Sequence, residues 1–281
     1  MATEQSRFEA LSPALARGRG LGEGGSSALH DATQAQKPPS PQPSPPNDEA
    51  VWGRGSNKGD ALAKLLAWTS PSYPTGAFCY SHGLEWAVEE GSVRDVATLV
   101  DYTGAVLTRG GGWVDAVLFA RAYECAHNAA ALDAIAELAV AFRGSAETAL
   151  ESCQQGAAFL GVTRKAWPHA LLDAFAARHA DLPVAHSIAM ALACAAHDVP
   201  CEPALSAWLH GTCANLVSAG VRLVPLGQTD GQIATARLAS IIAGVVADAL
   251  AASLDDLGTA APLLELCSIR HETQYTRLFR S

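Results

Sequence analysis

The chain has 281 residues, 49% of them hydrophobic and only 17% charged, with a formal net charge of −9. That length and apolar content can fill one large core or two small ones. The acidic balance excludes general nucleic-acid binding, which needs a basic surface to displace counterions from phosphate, and the abundance of alanine, which loses no side-chain entropy in a helix, leans the chain towards all-α.

Residues 1–58 contain GRGLGEGGSS and QKPPSPQPSPPND, Gly/Ser-rich and then Pro-rich, with no apolar period. Such a segment cannot bury enough surface to offset its ordering entropy and is expected to be a disordered extension. Met190 is the one methionine besides Met1, so a native start near Val51, leaving the extension out, is a further expectation. Residues 59–281 are expected to form a single all-α bundle of about ten helices.

Asp60 caps a first helix running through LAKLLAW to Thr69. A second runs from His82 to Glu90, with Ser81 as its cap and Gly91 as its stop. Ser92 caps a third, carrying Val96, Leu99, Val100, Thr103 and Val106 at helical spacing. Gly110, Gly111 and Gly112 break the chain before a fourth with Trp113, Ala116, Val117 and Ala120. Further helices are expected at about 131–142, 145–165, 169–180, 184–198 and 204–223, punctuated by Pro183, Pro200 and Pro203. After Pro225-Leu226-Gly227, Thr229 and Gln232 have capping-box spacing and open a helix through Leu238, Ile242, Val245 and Ala249. The last helical piece is Pro262 to Cys267, and residues 268–281 follow as a tail.

The seven cysteines form no CxxC pair, and most sit in apolar helical patterns where cysteine acts as a small hydrophobe. No secretory signal is visible. The longest apolar run, Leu238–Ala247, is too short to span a bilayer. A cytoplasmic protein with reduced thiols and no membrane association is expected.

No phosphate loop, dinucleotide fingerprint, HExxH or nucleophile elbow occurs, so a nucleotide-hydrolysing or nicotinamide enzyme is not expected, and no catalytic residue or cofactor is assigned. Cys79-x-x-His82, Cys194 with His197 and Cys201, and His210 with Cys213 offer thiolate-imidazole pairs that suit zinc or nickel. None has two further ligands nearby, so no metal site is expected. Gly110–Gly112 could cradle an anion at a helix start, against the blander reading of an interhelical joint. Glu85, Glu89 and Glu90 fall away from the apolar stripe Leu84/Ala87/Val88 and read as a solvated acidic face. Arg222 could reach a partner's nucleotide as an arginine finger; pairing with a carboxylate or helix end is the expected alternative. The tail SIRHETQYTRLFRS interleaves Ile269, Tyr275, Leu278 and Phe279 with Arg270, Arg277 and Arg280. Arginine and aromatic residues anchor interfaces, and the tail either docks on its own bundle or orders on a partner.

Three passages, SPSYPTGAFCYSHGLEWAVEEG, NLVSAGVRLVPLGQTDGQ and SIRHETQYTRLFRS, resemble in order and spacing the signature segments of the urease accessory protein UreF family. The stretches AFRGSAETALESCQQGAAFL and LPVAHSIAMALA are similar to its middle, so the resemblance covers about residues 60–281. It implies an all-α, dimerising, non-catalytic cytoplasmic protein. Such a protein acts with UreD (also called UreH) and the GTPase UreG to drive GTP-dependent nickel insertion into apo-urease. It implies interface roles for Arg270, His271, Glu272, Tyr275 and Arg277 in the tail, with Tyr80 and Glu85 of the first passage as further partner-binding candidates. A direct nickel carrier using Cys79, His82, Cys194, His197 or His271 is the first alternative. A strict GTPase activator supplying Arg222 or a tail arginine is the second.

Overall fold

The computed structural model describes residues 58–281; the expected disordered extension and alternative start lie outside the described residues, apart from Lys58. Among the described residues there are eleven α-helices, two 3-10 turns and no strand. In chain order the helices are α1 (Lys58–Trp68), α2 (Leu84–Glu89), α3 (Val96–Arg109), α4 (Gly111–Glu124), α5 (Ala129–Ala141), α6 (Ala146–Ala166), α7 (Ala170–Arg178), α8 (His186–Ala196), α9 (Cys201–Leu223), α10 (Gln228–Ala251) and α11 (Pro262–His271). The 3-10 turns are Ala77–Cys79 and Leu254–Asp256. The expected all-α bundle of about ten helices is therefore what forms.

The centre of the bundle is α8. Every residue from Ser187 to Cys194 is buried, as befits a helix apolar all round. It packs on α4, α6 and α9, and α10 lies along α9 and α3. In α4, Val114 to Ala120 are buried without a gap. One end of the core is aromatic: Trp68 meets Phe159 and Trp167 edge-on at centroid distances of 6.1 and 5.9 Å, and Tyr73 packs on Phe159 at 5.3 Å. Such pairs add to the area term by matching ring edges to faces.

Several helix starts differ from the sequence expectation, and at α3 and α10 a better local donor-acceptor pair wins. Asp95, not Ser92, caps α3: its carboxylate accepts from Thr98 N–H while Thr98 Oγ1 receives the Asp95 N–H. Helix α10 begins at Gln228, one residue before the Thr229 box, because Asp230 reaches back to the Gly227 N–H at 2.9 Å. Helix α9 starts at Cys201 with Pro203 in its first turn, where a missing N–H costs nothing. The ten-residue apolar run lies inside the 24-residue α10, which by length and composition alone could cross a membrane; here it is a bundle helix. Gly110 joins α3 to α4, and Gly112 lets the joint close, since a Cβ there would stand 2.7 Å from Val106 O. Helix α11 runs on to His271, four residues past the expected end.

Candidate functional site

The segment between α1 and α2 is an elbow. After Trp68 the chain turns at Ser70–Tyr73 and again at Gly76, whose φ of 77° is left-handed. It then makes the 3-10 turn Ala77–Cys79 and passes through two consecutive left-handed residues, His82 (φ 56°) and Gly83 (φ 77°). A non-glycine residue there is uncommon and needs support; Tyr102 Oη supplies it by donating to His82 O at 2.9 Å. Gly83 is needed twice over, because a Cβ on it would stand 2.8 Å from the Ser268 nitrogen of α11. Gly83 is also the residue before α2, so it and not Ser81 holds the N-cap position. The buried Ser81 side chain still accepts from Glu85 N–H in the first turn of α2 at 3.4 Å, and its hydroxyl donates to the tail.

The tail closes over this elbow. Ser81 donates from both N (2.6 Å) and Oγ to the carbonyl of Ser281, and Arg280 N–H donates to Cys79 O at 2.8 Å. Glu85 is 5% exposed, so the solvated-face reading of this residue is corrected. Its Oε1 accepts from Leu278 N–H (2.7 Å) and its Oε2 from Phe279 N–H (2.9 Å) and faces His271 Nε2 at 3.0 Å. On the other side of the ring, His271 Nδ1 lies 2.7 Å from Glu147 Oε2, and Glu147 also receives Arg277. Glu89 accepts from Gln274, and Glu90 from Trp86 Nε1 at 3.1 Å. One carboxylate that should have repelled its neighbours has become an acceptor for backbone N–H groups, which cannot be left unpaired when buried.

The seven candidate residues divide cleanly. His271, Tyr80 and Glu85 are buried inside the chain, at 0%, 2% and 5% exposure, because each holds the tail down rather than facing out. Arg270, Glu272, Tyr275 and Arg277 lie on the surface. Tyr275 is fully exposed, and so in part are Leu278 and, on α11, Leu263, Leu266 and Ile269. Sequence reasoning missed Glu147, Glu151 and Gln154 on α6, which anchor His271, His82 and Tyr80. Their one sequence signal was a pair of glutamates four apart opening a helix, a pattern as common on solvated faces.

Arg222 is occupied within the chain. Its guanidinium lies 3.7 Å from the Phe78 ring centroid and 4.4 Å from that of Phe279, and it donates to Phe78 O at 3.1 Å. Cation-π contacts with two rings stand where the expected carboxylate would be, while Arg222 Nε donates to Ser218 O at 3.2 Å near the end of α9. Cys79 is exposed, while His82 faces Glu151 at 3.3 Å. Cys194 is fully buried, and His197 Nε2 lies 3.1 Å from Trp167 O. Among the described residues no group of three or more His, Cys, Asp or Glu side chains is placed to hold a metal ion.

Beneath the elbow lies a cavity of about 360 Å³, roofed by residues 69–78 and reaching His82, Glu151, Asp115 and His186. Asp115 is held bidentately by Arg143 at 2.8 Å and accepts from Ser187 Oγ at 2.6 Å. Burial pushes its carboxyl up, but Arg143 and Ser187 outweigh it and hold the group below the usual range. Burial likewise pushes the His82 imidazole down, and the Glu151 carboxylate more than reverses that. His186 has no such partner. Burial pulls it down to about 4, Trp208 Nε1–H points at its Nδ1 at 3.4 Å, and its Nε2 is buried without a hydrogen-bond partner. A histidine whose folded value lies below the unfolded one, about 6.5, stabilises the fold fully above that value and progressively less as pH falls towards about 4. Urea denaturation should therefore show about 2–3 kcal/mol less stability at pH 4 than at 7 from this group, a component that His186→Gln removes.

The family model for UreF matches residues 93–239. That span omits the elbow and the tail. A Granulibacter bethesdensis protein named urease accessory protein UreF is 50% identical over 229 residues, covering 80% of this chain and 97% of that protein. Proteins of the same name from Rhodopseudomonas palustris and Xanthobacter autotrophicus are each 48% identical over 223 residues, covering 79% of this chain and 93% and 91% of theirs. A family model spanning more than half the chain and relatives this similar over nearly their whole length carry one conclusion, that this chain belongs to the UreF family of urease accessory proteins.

Proposed function

We propose that this chain is a non-catalytic scaffold of urease maturation. In this reading it is a cytoplasmic homodimer that binds UreD (UreH) and apo-urease and recruits and regulates the GTPase UreG. GTP-dependent nickel insertion is the outcome of that assembly, and no cofactor is held by this subunit. Residues 59–281 act as its working domain and 268–281 as its interaction tail.

The observation that carries this reading is the exposure of apolar side chains in α11 and the tail. Leu263, Leu266, Ile269, Tyr275 and Leu278 are exposed in the same stretch of chain as the exposed Arg270 and Arg277. Monomeric surfaces scatter such side chains singly, and their concentration with arginine in one short stretch is the composition of an interface core. The buried Glu85 and His271 support the surface from beneath without being available to a partner.

Because Ile269–His271 belong to α11 and His271 is buried, a test should leave them in place. Tyr275→Asp, at a side chain that touches no core, is expected to leave the thermal melt unchanged and to weaken capture of UreD and UreG in a pull-down by tenfold or more, the scale of an aromatic hot spot. Deleting residues 272–281 should abolish capture. Full-strength recruitment by both variants would overturn the reading.

A further inference from the structure

The proposed partner surface makes no use of the cavity beneath the elbow, and two groups in the wall of that cavity lack acceptors. Trp68 Nε1 and His186 Nε2 are both shut off from solvent with no hydrogen-bond partner among the described residues, and both residues line the cavity. Trp68 is 2% exposed, and an indole nitrogen can only donate. His186 donates as well. Trp208 Nε1–H points at its Nδ1, which leaves the ring proton on Nε2, and burial keeps the ring neutral. Buried N–H groups in native folds are almost always paired, and leaving one unpaired costs stability.

Rings close the other sides of both groups. Phe159 packs on both, its centroid 6.1 Å from Trp68 and 5.5 Å from His186. Trp167 and His197 flank Trp68, and Trp208 flanks His186. A ring face is a weak stand-in for an oxygen acceptor, so the acceptor that both lack has to come from the cavity side. The volume there, about 360 Å³, is in the range of small-molecule sites. We infer that the cavity binds a small uncharged organic molecule, an apolar or aromatic body bearing a carbonyl-type oxygen that accepts from Trp68 and His186.

The charged groups of the wall decide that the molecule is uncharged. Every carboxylate oxygen is already taken. Asp115 accepts from Arg143 on both oxygens and from Ser187, and Glu151 accepts from Gln155 on one oxygen while the other faces His82 and receives Ser281 Oγ. Arg143 in turn directs its remaining Nε–H to Ala139 O. An ion entering here would lose its water and find no counter-charge free to meet it. Tyr73, Met190 and Trp208 are among the side chains left to hold the apolar body. The inference rests on the cavity alone and is independent of whether the tail surface captures partners.

Four probes of matched shape test it on the full chain: acetophenone, ethylbenzene, benzoate and benzylammonium. In proton–nitrogen-15 spectra the Trp68 indole N–H, assigned by its loss in Trp68→Phe, should move downfield and saturate with acetophenone at a Kd on the order of millimolar or tighter. Ethylbenzene, the same shape without an acceptor, should bind several-fold more weakly. In a purely apolar cavity that order reverses, because the ketone would give up its water for nothing. Benzoate and benzylammonium should give no saturable shift. Trp68→Phe should weaken acetophenone about fivefold, the scale of one hydrogen bond, and leave ethylbenzene unchanged. Ala214→Leu, on the cavity wall, should abolish binding of both without lowering the melt. No saturable shift from any probe would mean that the cavity takes water only and would overturn the inference. Tighter binding of ethylbenzene than of acetophenone, or of either ion than of both neutral probes, would overturn it too; these comparisons need only the parent chain.

Discussion

Gly156→Ala is expected to destabilise the bundle by about 4 kcal/mol or more, at the exceptional end of single-residue effects and a large share of the 5–15 kcal/mol that holds a domain folded. Gly156 sits in α6 where the chain enters α8, and a Cβ there would stand 2.0 Å from Val184 O, 2.7 Å from Ala185 C and 2.8 Å from His186 N. All three are backbone atoms, so no rotamer change relieves the clash. Helix α6 would have to move off α8, and with it the walls of the cavity that carry Glu151 and His186. Gly161, five residues along the same helix, has nothing within 4 Å of its would-be Cβ. Gly161→Ala should therefore stabilise by up to about 1 kcal/mol through helix propensity alone. Thermal or urea melts of the two variants should move in opposite directions, and a tolerated Gly156→Ala would show that α6 and α8 are not in this contact.

Glu85→Ala is expected to free the tail and to cost about 3–5 kcal/mol, the range for breaking a buried charged pair by removing one side. The loss is large because one carboxylate serves three partners, the amides of Leu278 and Phe279 and the ring of His271. Hydrogen bonds to a charged group contribute about 1.5–3 kcal/mol each, and two of the three groups left behind, the Phe279 amide and the His271 ring, are buried. Glu85→Gln keeps the shape and one acceptor and should cost less. Limited proteolysis should cut Glu85→Ala in residues 272–281 under conditions that leave the parent chain intact, while Glu90→Ala, at the opposite end of the same short helix and outside the clasp, stays resistant. If Glu85→Ala resisted cleavage as well as the parent, Glu85 would not be what holds the tail.

The helices themselves were legible because their causes are local. Alanine-rich apolar stripes, prolines at 200 and 225, and a glycine at 91 mark where helices can and cannot run, to within about four residues of where they do. Caps were less legible, since Ser92 and Asp95, or Thr229 and Asp230, are chemically equivalent candidates a turn or less apart. Only the backbone's entry angle chooses between them. The charged clasp was not legible at all. Glu85 has the sequence surroundings of a solvated face, Glu85, Glu89 and Glu90 on one short helix, and its neighbours Glu89 and Glu90 do reach the surface.

By itself, then, the sequence determined an all-α chain with an elbow at residues 70–83 and an arginine-aromatic tail, since turn residues, helix formers and caps act over a few positions. It also carried the family in three separated passages. Which acid meets which base was decided by the tertiary structure alone. His271 and Glu85 are 186 residues apart, and nothing periodic links them. The pair forms because Gly83 lets α11 approach to backbone contact and the tail must turn back over α2 to bury Phe279. Once that backbone is laid down, its N–H groups and the His271 ring need acceptors, and Glu85 is the one within reach.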